Sequence, residues 1–210
     1  MKYAELPVQE YLSELSSNAP VPGGGGTSAL TGALAASLGN MVGSLTVGKK
    51  KYADVEENIR GLMKKMTEIR NDLISLIDED AAVFEPLSKA YGLPKETPEQ
   101  AEEKERIMEK CLKDAASVPV RILDDASQAV LLLEEFAEKG SKLAVSDAGC
   151  GASLCRSAME GAALNVYINT KMMKDRAYAE KLNLHVKNVL EEYTPKAEMV
   201  YNSVRERLGG

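Results

Sequence analysis

The sequence has no tryptophan, one histidine, three cysteines, and aromatic residues at only 5% of its 210 positions. Each scarcity excludes something. With so few rings, Ala, Leu, Val and Met have to fill the core. One histidine, and no Cys/His/Asp cluster at ligand spacing, leave little basis for a metal centre and none for a Ser-His or Cys-His nucleophilic pair. Cys111, Cys150 and Cys155 are odd in number and form no CxxC, which argues against disulfides or a zinc ribbon and for a reducing cytoplasm. Positive charge is also in deficit, with 26 Lys and Arg against 32 Asp and Glu. A general nucleic-acid surface would be basic. No signal-peptide pattern opens the chain, and no run of alternating Val, Ile and Thr suggests a sheet.

What is present is helical periodicity. The composition, 44% hydrophobic and 28% charged, is that of an ordinary folded protein, and 210 residues suit one domain. The pattern predicts helices over about Pro7–Ser17, Thr27–Val47, Asp54–Tyr91, Thr97–Glu138, Ser146–Met173 and from Arg176 onward, with kinks at Pro119 and near Pro195. Leu62, Met66, Ile69, Leu73, Leu76 or Ile77, Phe84, Leu87 and Tyr91 mark the buried stripe of the third. Thr97-Pro98-Glu99-Gln100 reads as a cap with an early-turn proline. The expectation is one all-α domain over residues 1–210, a bundle of about six long, partly kinked helices.

No residue from Ala19 to Gly48 is charged. A membrane span needs more strongly apolar residues than this glycine- and hydroxyl-rich run contains. Gly43-Ser44-Leu45-Thr46-Val47-Gly48-Lys49-Lys50 misses a phosphate-binding loop at its last position, where a hydroxyl is required. The remaining reading is a ligand-binding helix start. Gly23, Gly24, Gly25 and Gly26 let backbone approach a ligand, and they lead into Thr27 and Ser28 at a helix N-terminus with unpaired N–H groups. A tight turn with a capping hydroxyl is the plainer alternative. Gly32, Ala36, Gly39 and Gly43 then form a small-residue face suited to a tight bundle or dimer. Lys49, Lys50 and Lys51 either compensate the helix C-terminus or hold a polyanionic tail.

Two helices carry polar residues where the core should be. Asp80 falls on the apolar stripe, seven after Leu73 and four before Phe84. It is either a structural crosslink or a cleft acid with a raised pKa. Asn165 and Asn169 share one face beside Ala158, Gly161 and Ala162, and can either bridge helices or present amides to a heterocycle. Ser146-Asp147 is a helix cap or a second site acid. His185 sits in a charged tail helix as a surface residue.

Several stretches resemble the folate cyclodeaminase/cyclohydrolase family. They are Pro20-Val21-Pro22-Gly23-Gly24-Gly25-Gly26, Asn40-Met41-Val42, Leu45-Thr46-Val47-Gly48-Lys49-Lys50-Lys51-Tyr52, Asp80 with Phe84, Ser146-Asp147-Ala148, and Ala163-Leu164-Asn165-Val166-Tyr167-Ile168-Asn169. The resemblance implies an all-helical, homodimeric, metal-free cytoplasmic enzyme with no cofactor beyond its tetrahydrofolate substrate. It implies no nucleic-acid or membrane partner. Tyr91-Gly92-Leu93-Pro94-Lys95 and Ser146-Asp147-Ala148-Gly149 look most like the stand-alone cyclohydrolases, which hydrolyse 5,10-methenyltetrahydrofolate to 10-formyltetrahydrofolate. The cyclodeaminase reaction on 5-formiminotetrahydrofolate is the alternative, and a non-enzymatic helical dimer or scaffold the second. On chemical grounds Asp80 is the first candidate for acid–base work and Asp147 the second. Asn165 and Asn169 would orient the pterin. Gly23 to Gly26 with Ser28, Ser146, Lys49 and Lys50 would hold the rest of the folate.

Overall fold

The computed structural model describes residues 2–210. Six α-helices follow in chain order: α1 Val8–Leu15, α2 Gly24–Ser44, α3 Glu56–Tyr91, α4 Pro98–Lys139, α5 Val145–Met172 and α6 Arg176–Arg207. Short 3-10 turns occupy Tyr3–Glu5, Lys50–Val55 and Lys142–Ala144, and there is no strand among the described residues. No described helix is long and apolar enough to cross a membrane. All three thiols are free, with Cys111 and Cys155 buried and Cys150 exposed.

Local chemistry accounts for most of these elements. The expected stripe of α3 buries Leu62, Met66, Leu73, Leu76, Ile77 and Leu87, while Ile69 and Phe84 are half-buried and Tyr91, at the end of the helix, is exposed. α4 begins on the expected cap: the Gln100 N–H donates to Thr97 Oγ1 at 3.3 Å, and Gln100 Oε1 accepts from the Thr97 N–H at 3.3 Å. Asp175 caps α6 by accepting from the Tyr178 N–H at 3.1 Å. Pro86, Pro119 and Pro195 lie inside helices, and α4 and α6 run on through the two positions where kinks were expected.

α2 is the inner helix, packed on α3, α4 and α5, with Ala29, Ala35, Ala36 and Val42 fully buried. Its small face does what the spacing predicts. Leu73 fills the space over Gly32, and Met66 the space over Gly39.

Three boundaries differ from expectation. α2 starts at Gly24, three residues before Thr27, so most of the glycine run is helical. α2 ends at Ser44, and Lys49 to Lys51 follow a turn instead of closing the helix. α5 starts at Val145 with no side-chain cap, so Ser146 and Asp147 lie inside its first turn. His185, on α6, is about half exposed and pairs with Asp124 of α4, Nε2 to Oδ1 2.7 Å.

α4 lies between α3 and α5, and a second core of Leu87, Cys111, Leu112, Ala115, Ala116, Met173 and Ala179 packs beneath that junction. Further along α4, burial raises the Asp125 carboxyl; Asp72 adds to the rise, Arg121 opposes it, Asp124 contributes further, and the group titrates at about 6. A carboxyl raised in the folded state contributes most stability while protonated and loses it as pH climbs from the ordinary 3.8 to about 6. Asp125→Asn should therefore stabilise the protein at pH 8 by about 1–2 kcal/mol, discounted for partial solvent screening. That gain should fade by pH 4. Thermal unfolding at the two pH values checks it, and an equal effect at both would exclude a destabilising buried charge.

Candidate functional site

The first turn of α2 has an unusual cap. Gly23 occupies the N-cap position with extended backbone (φ −132°, ψ −159°) and has no side chain to offer the helix. Asp80 of α3 supplies the missing acceptor: the Gly26 N–H donates to its Oδ2 at 2.8 Å. A carboxylate at a helix N-terminus is favoured by the dipole and by the free N–H groups. No described residue accepts from the N–H of Gly24 or Gly25. The two donors remain at the wall of the cavity that both residues line.

Two of the four glycines are constrained by this arrangement. A β-carbon on Gly25 would lie 2.5 Å from Asp80 Cγ, and one on Gly24 would lie 3.0 Å from Asn165 Nδ2. Gly23, by contrast, has nothing within 4 Å of such a carbon. Behind the turn, the buried Tyr11 hydroxyl lies 3.4 Å from Thr27 Oγ1, which donates to the Gly23 carbonyl at 2.8 Å. Burial pushes the Asp80 carboxyl above its ordinary value, and the Gly26 N–H opposes that rise.

The opposite wall is α5. Asn165 donates through Nδ2 to the Gly161 carbonyl at 2.8 Å. The buried Asn169 donates through Nδ2 to the carbonyls of Asn165 at 2.8 Å and Ala115 at 3.3 Å. The Ala115 carbonyl is open because its helical partner four residues on is Pro119, which has no N–H. Asn169 thereby commits both its N–H bonds to backbone and Asn165 one, which leaves the two side-chain oxygens as acceptors and one Asn165 N–H as a donor.

These residues enclose one cavity of about 120 Å³, lined by Pro20, Val21, Gly23, Gly24, Gly25, Asp80, Phe84, Ala115, Pro119, Asn165, Ile168 and Asn169. It offers backbone donors on one side, carboxamide acceptors on the other, and a half-desolvated carboxyl between them. That set can hold a polar heterocycle and move a proton at one edge of it.

The structure brings together Gly23, Gly24, Gly25, Asp80, Asn165 and Asn169. Gly26 lies just behind them, bonded to Asp80. Ser28 is buried with its hydroxyl on the Gly24 carbonyl, 2.7 Å, and packs against Gly161. Within the protomer the other expected residues lie elsewhere, which follows from helix length. Asp147 precedes Asn165 by 18 residues on α5, about 27 Å of helix, and Gly24 is separated from the lysines by the whole of α2, about 30 Å. Ser146 lines a different cavity with Cys150, Tyr201 and Arg205. Lys49 and Lys50 are exposed at that same end, where Tyr52 Oη accepts from the Lys142 N–H at 3.1 Å.

Sequence reading took Pro119 only as a kink and overlooked Ala115. A proline deep in a predicted helix announces a free carbonyl four residues earlier, and that signal could have placed α4 in the site. Among the described residues, no group of three His, Cys, Asp or Glu is placed to hold a metal ion.

The formiminotransferase-cyclodeaminase family matches residues 7–188. Over 96% of its length the chain is 36% identical to methenyltetrahydrofolate cyclohydrolase of Methylorubrum extorquens, covering 97% of that protein. Over 94% of its length it is 31% identical to mouse formimidoyltransferase-cyclodeaminase, of which it spans only 36%. The crystal structure of formiminotetrahydrofolate cyclodeaminase from Thermotoga maritima superposes with a TM-score of 0.80 at 32% identity, covering 98% of this chain and 97% of that one.

Proposed function

The chain belongs to the formiminotransferase-cyclodeaminase family, and on that premise we propose that it hydrolyses 5,10-methenyltetrahydrofolate to 10-formyltetrahydrofolate. The observation that carries the reading is Asp80, a carboxyl held above its ordinary pKa at the wall of a cavity faced by two asparagines. The full-length match to the Methylorubrum extorquens cyclohydrolase supports the choice of substrate.

The methenyl bridge is a cyclic amidinium whose carbon is electrophilic. Ionised Asp80 takes a proton from water as the oxygen bonds to that carbon, giving a neutral carbinolamine. The bond from this carbon to N5 then breaks. The proton on Asp80 passes to N5, the carbinolamine hydroxyl loses its proton to solvent, and the carbonyl of the N10-formyl group forms. One water is consumed and one proton released. Attraction between the carboxylate and the cation alone would stabilise bound substrate as much as the transition state, so the proton transfers are what accelerate the reaction. The Asn165 and Asn169 oxygens accept from pterin N–H groups, and the N–H groups of Gly24 and Gly25 receive an oxygen. This chemistry requires no metal or further cofactor. Three unpaired thiols suit a reducing cytoplasm, and the uncharged outer face of α2, with Leu34, Met41 and Leu45 exposed, suits a homodimer.

Loss of the methenyl absorbance with and without protein tests the reading; a decay no faster than in buffer would refute it. A second reading is cyclodeamination, favoured by the full-length likeness to the Thermotoga maritima enzyme. Here the same acid would protonate departing ammonia. Ammonia released from 5-formiminotetrahydrofolate in a parallel assay decides between the two.

A further inference from the structure

We propose that the groove leading out of the cavity over α4 is the subsite for the arylglutamate tail of the substrate, and that Lys95 is the cation that receives its carboxylates. This rests on the folate reading above. A second cavity, of about 240 Å³, adjoins the first along the same helices. Ala115 lines one and Leu112 the other, three residues apart on α4; Asn169 lines one and Met172 the other, three apart on α5. The two spaces are therefore offset by about one helical turn, ~5 Å.

Their chemistries divide as a folate does. The inner cavity sets two carboxamides, the Asp80 carboxyl and backbone N–H groups among apolar walls such as Phe84 and Ile168. The outer one is walled by Met108, Leu112 and Met172 and rimmed by Lys95, Lys104 and Lys174. Across the groove, Tyr91 of α3 brings its Oη to 3.4 Å from Met172 Sδ, and the residue is 46% exposed. Phe84 at the inner cavity and Tyr91 are two turns apart on α3, ~10 Å, a span suited to an aryl ring, an amide and a glutamate. An aromatic side chain and a thioether make a good surface for that ring.

The charges single out Lys95. Glu105 is taken by Lys174 at 2.5 Å, and Glu109 by the N–H groups of Lys174 and Asp175 at 2.7 and 3.1 Å. The Lys104 ammonium is bound to the carbonyls of Tyr91 and Leu93 at 2.8 and 2.7 Å, which pins the turn that presents Lys95. The Lys95 ammonium has no acidic partner among the described residues, and the Glu96 carboxylate beside it is held by the Lys95 N–H at 3.0 Å, in a chain of net charge −6. The Tyr91-Gly92-Leu93-Pro94-Lys95 stretch thereby gains a task that composition did not suggest, and it replaces Lys49 and Lys50, which lie at the far end of α2.

The test compares 5,10-methenyltetrahydrofolate with 5,10-methenyltetrahydropteroate, which lacks the glutamate. Lys95→Glu should raise KM about tenfold for the folate, the loss of one charge-assisted contact, and leave KM for the pteroate and both kcat values within twofold. Tyr91→Ala should raise KM for both substrates alike. Equal effects of Lys95→Glu on the two substrates, or no effect, overturn the subsite; so does a glutamate-dependent effect of Lys49→Glu in its place. Calorimetry with 4-aminobenzoylglutamate against 4-aminobenzoate, on wild type and Lys95→Glu, reads the same subsite without turnover. Tail binding that depends on Lys95 in a protein that hydrolyses no folate would preserve the subsite and remove the hydrolase reading. Hydrolysis with no preference for the glutamate-bearing fragment would do the reverse.

Discussion

Asp80→Asn should lower the rate of methenyl hydrolysis by about a hundredfold or more, within the range lost when a general acid–base group is removed. Asn is nearly isosteric and its side-chain oxygen can still accept from the Gly26 N–H, which the carboxylate does at 2.8 Å. The cap on α2 survives, and the fold with it. What disappears is the group proposed to take a proton from water and return it to N5. Burial raises Asp80 above its ordinary 3.8, so the folded protein holds that proton more tightly than the unfolded chain. The ionised form thus costs stability at neutral pH, and Asp80→Asn should match or exceed the wild-type Tm there.

The pH profile adds an independent readout. As a base, Asp80 works only when ionised, so wild-type kcat/KM should fall on the acid side through an apparent pKa above 3.8. In Asp80→Asn that limb should be gone. A variant with near-normal turnover, or one that keeps the acid limb, would take Asp80 out of the mechanism.

The parts of this site that sequence made legible are those whose evidence is local. Asp80 stands out because it interrupts a stripe of period 3.6, and Asn165 and Asn169 because four residues put them on one helix face. Four consecutive glycines announce a close approach without saying to what. The structure answers with two side chains, Asp80 at Gly25 and Asn165 at Gly24. α4's share was not legible from any one segment. Ala115 matters only because Pro119 leaves its carbonyl free and Asn169 arrives from another helix to use it.

Within one protomer Ser146, Asp147, Lys49 and Lys50 stand away from the cavity for a reason of length. At 1.5 Å per residue a 21-residue helix has ends some 30 Å apart. Residues that flank one helix in sequence therefore stand at opposite ends of the bundle.

Within the four glycines, substitution by alanine should have graded consequences that follow space alone. Gly23→Ala should be nearly silent, since nothing lies within 4 Å of the added carbon and the backbone there is extended. Gly26→Ala meets the Ile77 carbonyl at 3.4 Å and should be mild, and Gly24→Ala presses on Asn165 at 3.0 Å. Gly25→Ala is the severe case. Its carbon at 2.5 Å from Asp80 Cγ forces the carboxyl off the Gly26 N–H or the helix off its seat. Overpacking of this kind costs about 1–3 kcal/mol, and a lost hydrogen bond to a charged group about 1.5–3. Alanine's advantage over glycine inside a helix returns only about 0.5–1 kcal/mol.

Activity should fall with Gly25→Ala nearly as far as with Asp80→Asn, because the same carboxyl is displaced. Gly25→Ala should also be coupled to a second substitution, Asp80→Ala. Once Asp80 is Ala, the obstruction is gone and Gly25→Ala should become neutral or slightly stabilising. The coupling measured by denaturant unfolding of the four proteins should then exceed 1 kcal/mol. Additive effects would mean that Gly25 answers to some other neighbour and that the first turn of α2 is not built around Asp80.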